Sequence, residues 1–147
     1  MALDIHVTVA AVVERNGRFL CVEEEIHGQL VINQPAGHLE AHESLLEAVV
    51  RETYEETAWI FVPRALLGIY HYTSHSGVAY LRFAFTGAVT AHHPDQPLDS
   101  GIHQALWLSW PELLHRRAQH RGPQVIRAIE DYRRGQSFPL ETLVHPL

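Results

Sequence analysis

The sequence predicts an α/β (α+β) domain, a mixed β-sheet sandwiched between helices. Three observations point there. Short β-rich runs fill the first quarter of the chain, two of them joined at the hairpin signal Asn16-Gly17. Ser44 to Thr57 contains neither proline nor glycine and has a helical pattern. More β-rich runs follow, and then two helix-like segments. A length of 147 residues fits a single domain spanning 1–147. That size buries a core without disulfide or metal staples.

The elements follow in order. His6 to Val13 reads as a mostly buried strand, and Arg18 to Glu25 as its partner across the turn. Gln29 to Asn33 is a short extended piece set off by Gly28 and Pro35. Ser44 is the expected helix N-cap, with Glu47 three residues on at capping-box spacing. Trp59 to Tyr72 is expected to form two strands broken at Pro63. Ser74 to Gly77 is a polar turn, and Val78 to Val89 a clear strand. Ala91 to Gly101, with two prolines, reads as a loop, and Ala105 to Ser109 as a short strand. A helix from Pro111 to about Gln119 and another from about Gln124 to Arg134 are separated by Gly122-Pro123. The tail from Gln136 is expected to drape over the body.

Composition narrows the function. Apolar residues make up 46% and charged residues 19%, ordinary for a globular protein. The net charge of −6 and the lack of a basic stripe argue against nucleic acid as a partner. No run approaches the roughly 18 apolar residues of a membrane span, and no signal-peptide pattern opens the chain. A cytoplasmic location is therefore expected. Cys21 is the single cysteine and lies in an apolar run, as a core residue would. The twelve histidines show no zinc-site spacing. All eleven basic residues are arginine, so an anionic substrate must be met by arginines, backbone amides or metal. Nothing in the sequence sets an oligomeric state.

The chemistry concentrates on the central helix. At about 100° per residue, Glu52, Glu55 and Glu56 share an arc of roughly 100°, while Leu46, Val49, Val50 and Thr53 share another roughly 120° away. One face packs and another presents three carboxylates that repel each other. A hard cation such as Mg²⁺ or Mn²⁺ would relieve that repulsion. Arg51 projects beside Glu55 and could pair with it. Taken alone, this cluster is better read as a solvated acidic face.

The upstream loop reverses that preference. Gly37, five residues, Glu43, seven residues, and Arg51-Glu52-Thr53-Tyr54-Glu55-Glu56 stand in unbroken register. This resembles the signature box of the Nudix hydrolases, here spanning 37–59. Six fixed positions match: Gly37, Glu43, Arg51, Glu52, Glu55 and Glu56. Thr53 stands where the family has an aliphatic residue, and Ala58 where it has a helix-ending glycine. Alanine in a left-handed cap costs on the order of 1 kcal/mol, so a different terminal turn is expected. The stretch Asn33 to Glu40, the triplet Leu81-Arg82-Phe83 and the segment after Gly122 resemble the bacterial phosphatase NudJ subgroup.

The resemblance implies the Nudix fold and Mg²⁺-dependent hydrolysis of a small phosphoanhydride, Mn²⁺ being able to substitute. The subgroup's substrates are nucleoside di- and triphosphates and thiamine-type pyrophosphates, including hydroxymethylpyrimidine pyrophosphate. It also implies roles. Glu52, Glu55, Glu56 and the Gly37 carbonyl are the expected metal ligands. Glu43 holds a water or a second ion, or braces Arg51. Glu52 is the first candidate general base, and Asp95 or Asp99 the second. Arg82 is the expected phosphate contact, weighed against an ordinary surface arginine. Strand alternation puts Tyr80 on the same face as Arg82. Tyr80, Tyr72 and His71 offer stacking surface, and Asn33 and Gln34 offer hydrogen bonds to a base or phosphate. A non-catalytic nucleotide-binding or regulatory module on the same fold is the alternative.

Overall fold

A computed structural model describes residues 4–146. The chain forms β1 (Ile5–Val12), β2 (Glu14–Arg15), β3 (Arg18–Ile26), β4 (Gln29–Asn33), β5 (Ala36–His38), α1 (Leu45–Thr57), β6 (Trp59–Thr73), β7 (Ala79–His92), β8 (Ile102–Ser109), α2 (Trp110–His115) and α3 (Pro123–Arg133). Two sheets result. The first has the order β5-β1-β7-β6, with β1 parallel to β7 and the other pairs antiparallel. In the second, β3 pairs with β2 and β4 along one edge and with β8 along the other.

The unbroken apolar run of β1 follows from its central place. Val9 and Ala11, with Val13 just beyond, pack with Ala48 and Val49 of α1. Ala10 and Val12, facing the other way, pack with Leu113 of α2 and Ile126 and Ile129 of α3. A strand covered on both faces has no polar side to show. Helices thus cover both faces of a mixed sheet, as the sequence predicts.

The hairpin at Asn16-Gly17 forms with positive φ at both residues, 53° and 77°. That is the paired left-handed geometry a tight hairpin turn requires. The tail folds back: Leu66 and Phe138 exchange backbone hydrogen bonds, and Leu140 and Leu143 pack against the α1-side core. Cys21 is fully buried, and burial pushes its thiol up to about 12, so it acts as a core hydrophobe.

Three expectations need correction. Pro63 does not split a strand; β6 runs continuously from Trp59 to Thr73. It lies at the sheet edge, where a missing N–H costs little, and a register shift between Pro63 and Ala65 absorbs the ring. The strand opposite is cut back to match: a Cβ on Gly87 would sit 2.1 Å from the Val62 carbonyl oxygen. The helix after Pro111 is also shorter than expected, ending at His115 before a 3₁₀ turn over Arg117–Gln119. Finally, Ala58 does take the left-handed cap, with φ 62° and its N–H donated to the Tyr54 carbonyl. Its buried methyl offsets part of the conformational cost.

At the other end of α1 the capping box is complete. Ser44 Oγ accepts from the Glu47 N–H, and Glu47 Oε1 accepts from the Ser44 N–H at 2.8 Å. Ser44→Ala is expected to lower stability by about 1 kcal/mol. A matching drop in the urea midpoint, with the slope unchanged, is the measurement that checks it.

Candidate active site

The site is built where β5 and its loop meet α1. The Ala36 N–H donates to Glu56 Oε1 at 2.9 Å. A Cβ on Gly37 would lie 2.1 Å from the Glu52 carboxyl carbon, so only glycine lets the strand come this close. Arg51 ties loop to helix. Its Nε and Nη2 donate to the two oxygens of Glu43 at 3.0 and 2.7 Å. Nη2 also reaches the His38 carbonyl at 3.0 Å, while Nη1 reaches Glu52 at 2.8 Å and Glu55 at 3.2 Å. Glu43 therefore braces Arg51. The bidentate pair falls on Glu43, whereas Glu55 receives a single bond. The Arg51 hydrogen bonds hold the Glu43 carboxyl below its usual range.

Burial sets the direction for the remaining carboxylates, even where Arg51 touches them. Burial raises Glu52, with Arg51 opposing. Burial, and then Asp99, raises Glu55. Glu56 is pushed up to about 8, mainly by burial and against the Ala36 N–H. Asp99 reaches this cluster from the loop after β7. Its N–H donates to the Glu55 carbonyl, and His93 at the loop's start donates to the Ala58 carbonyl, both at 2.9 Å. The Tyr54 hydroxyl and His93 Nδ1 lie 2.9 Å apart and strap the loop to α1. Oxygens of Glu52, Glu55 and Asp99 all fall within 4.8 Å of one another. Of the two loop aspartates considered from sequence, both are exposed, but only Asp99 joins the cluster. Hard oxygens at this spacing, beside a glycine cradle, fit a divalent cation of the Mg²⁺ or Mn²⁺ type.

A second cluster lies on the α3-side face of the first sheet. Arg82 is only 2% exposed, so it is not a surface arginine. Its Nη2 donates to Asn33 Oδ1 at 3.0 Å and Gln34 Oε1 at 2.9 Å. Gln34 Nε2 in turn donates to the Val125 carbonyl in the first turn of α3, at 2.7 Å. Burial depresses the Arg82 pKa, with Tyr72 the main support for its charge. Register sets the neighbours: Thr8 lies opposite both His38 and Arg82, His6 opposite Tyr80, and Tyr80 opposite Tyr72. Tyr72 and Tyr80 stack with centroids 5.3 Å apart. His6 Nδ1 and His38 Nε2 are 3.0 Å apart, and both rings tilt against Tyr80. Tyr80, Arg82, Asn33 and Gln34 thus come together. His71 does not, because it points to the opposite face of β6 from Tyr72. Sequence reasoning missed His6, Thr8 and His38. His6 and Thr8 are brought in by the parallel β1–β7 pairing, which joins residues about 75 positions apart, and His38 by the antiparallel β1–β5 pair; neither pairing leaves a local signal in the sequence.

Comparison with known proteins agrees with this geometry. A NUDIX domain model matches residues 4–129. The chain belongs to the Nudix family and is a Nudix hydrolase, a pyrophosphohydrolase acting on acid anhydrides. Among characterised relatives it is similar to phosphatase NudJ of Escherichia coli K12, at 42% identity over 138 residues, covering 94% of this chain and 90% of that one. Among solved structures, a NUDIX hydrolase from Nitrosomonas europaea superposes with a TM-score of 0.95 at 47% identity, covering 97% of this chain and 98% of that one. A bifunctional NMN adenylyltransferase/ADP-ribose pyrophosphatase from Francisella tularensis, complexed with AMP and a manganese ion, shares the fold. Its TM-score is 0.74 at 20% identity, covering 91% of this chain and 42% of that one.

Proposed function

We propose that this hydrolase cleaves a phosphoanhydride bond in nucleoside di- or triphosphates or thiamine-type pyrophosphates, using Mg²⁺. The observation that carries the reading is the convergence of Glu52, Glu55 and Asp99 oxygens beside the buried Glu56 and side-chain-free Gly37. The 42% identity to a phosphatase supports the reaction class. The Francisella relative's AMP and manganese ion support the ligand types.

In this reading Glu52, Glu55, Glu56 and the Gly37 carbonyl hold the metal. Bound Mg²⁺ would neutralise phosphate oxygens and lower the pKa of a coordinated water. Arg51 keeps the carboxylates of Glu43, Glu52 and Glu55 in place. Glu52, made more basic by burial, takes the proton from the attacking water; Asp99 is the second candidate. Tyr80 and Tyr72 give the substrate's heterocycle a stacking surface. Asn33, Gln34 and Arg82 form the floor beneath it. Residues 1–147 act as one domain, which a single cooperative unfolding transition would test. No helix among the described residues is long and apolar enough to cross a membrane, and we assign the protein to the cytoplasm.

The test is release of phosphate and of pyrophosphate from a panel of nucleotides and pyrimidine pyrophosphates, with Mg²⁺ and with chelator. Metal-dependent turnover of at least one member is expected. Nucleotide binding without turnover of any member would favour the non-catalytic module instead.

A further inference from the structure

We propose that Arg121 grips the phosphate of the substrate that lies away from the scissile bond, leaving its resting partner Glu24 to do so. This inference rests on the reading above that the substrate is a small phosphoanhydride. Among the described residues, Arg51 belongs to the carboxylate cluster, Arg82 to the second cluster and Arg121 to its edge, and the first two are already committed. Arg51 serves Glu43, Glu52, Glu55 and the His38 carbonyl, and its side chain is 22% exposed. Arg82 is sealed beneath Asn33 and Gln34. Arg121 keeps 41% of its side chain open and, among the described residues, makes one ion pair, Nη1 to Glu24 Oε1 at 2.6 Å.

Its position is fixed by the backbone. The Arg121 N–H donates to the Ile32 carbonyl at 2.9 Å, placing it beside the strand end that carries Asn33 and Gln34. Glu24 lies opposite Val31 on β4, so the ion pair sits at the β3–β4 edge next to Asn33 and Gln34, the residues that floor the substrate in the reading above.

The surroundings favour an anion. Arg121 immediately precedes Gly122, the N-cap of the 11-residue α3, and no side chain caps that helix. Pro123 has no N–H and the Val125 N–H turns back to the Gly122 carbonyl, so the terminus contributes the positive end of the helix dipole rather than a row of free donors. Nearby, Arg82 Nε and Nη1 and Thr8 Oγ1 are buried and have no hydrogen-bond partner. Arg82 is linked through Gln34 to the first turn of α3. Among the described residues no carboxylate pairs with Arg82, so this buried cation sets a positive potential around Asn33 and Gln34. Arginine suits the role, since its fork matches a phosphate and it stays charged.

The experiment is calorimetric titration of the full chain in Ca²⁺ with ADP, GDP, UDP and inorganic pyrophosphate, followed by steady-state kinetics in Mg²⁺. Arg121→Ala is expected to weaken Kd about 10- to 100-fold for all three nucleotides alike, as loss of a charge-assisted hydrogen bond does. Arg121→Lys should fall in between. Glu24→Gln, which frees Arg121, should leave Kd unchanged or tighter. In turnover, Arg121→Ala should raise KM by the same factor while kcat moves less than about threefold. Unchanged binding in Arg121→Ala, a loss confined to one base, or an equal loss in Glu24→Gln would each overturn the proposal. So would failure of the wild type to bind any of the four probes. Binding that depends on Arg121 in a protein that hydrolyses nothing with Mg²⁺ would support Arg121 as the phosphate grip while defeating the hydrolytic reading.

Discussion

Glutamine in place of Glu56 is expected to lower kcat about 10³-fold, equivalent to roughly 4 kcal/mol of lost transition-state stabilisation. The substitution keeps the shape and an oxygen to accept the Ala36 N–H, so the fold should survive. What disappears is a negative charge at a position only 8% exposed. The same variant should alter stability in the opposite direction. In the folded, metal-free chain the Glu56 carboxyl keeps its proton up to about pH 8, against 4.5 when free. Its contribution to folding is thus complete below pH 4.5 and is lost as pH rises through 8. Wild-type stability without divalent ions should fall over that window by on the order of a few kcal/mol, and the melting temperature should drop with it. Glu56→Gln should flatten the decline. Melts between pH 5 and 9, with chelator and then with Mg²⁺, check both statements. A wild-type profile that rises with pH would refute them.

The second large effect is expected from Gly37→Ala. A methyl there would collide with the Glu52 carboxylate, the far end of a flexible side chain. The collision is relieved by moving that carboxylate, and the backbone is spared. Stability should therefore change little, with Tm within about 2 °C of wild type. Activity should not be spared. Displacing a ligand by about 1 Å can cost on the order of 10²-fold in rate, and the Mg²⁺ concentration for half-maximal activity should rise about tenfold. Metal titrations of activity beside thermal melts separate the two. A large Tm loss with normal metal dependence would mean that Gly37 serves the fold alone.

Much of the carboxylate cluster was legible in the sequence because it is local. Gly37, Glu43 and the helix from Arg51 to Glu56 lie within 20 residues of each other, and helix periodicity plus one loop brings them together. Which acid Arg51 grips was not legible. On helix projection Glu55 is its neighbour, but the loop places both oxygens of Glu43 along the guanidinium edge. The heterocycle surface was less legible still. Tyr80 and Arg82 share a face by alternation, yet alternation does not say whether that face is wet or buried. It took the parallel pairing of β1 with β7 and the cover of α3 to bury Arg82 and bring His6, Thr8 and His38 beside it. At Pro63 and Ala58 local propensity lost to context: an edge position tolerated the proline, and burial held the alanine in a left-handed turn.

The segment from Gln34 to Gly37 is held at both ends. Gln34 is clamped between Arg82 and α3, while Ala36 and Gly37 press on Glu56 and Glu52. Three residues of extended chain span at most about 10 Å. The segment is in effect a short ruler laid between the place where a molecule is recognised and the place where it is cut. A compound can vary in its ring and still be handled, but the number of links between ring and reacting phosphorus is gauged by the backbone itself. Selectivity for length is then as much a property of this chain as selectivity for shape.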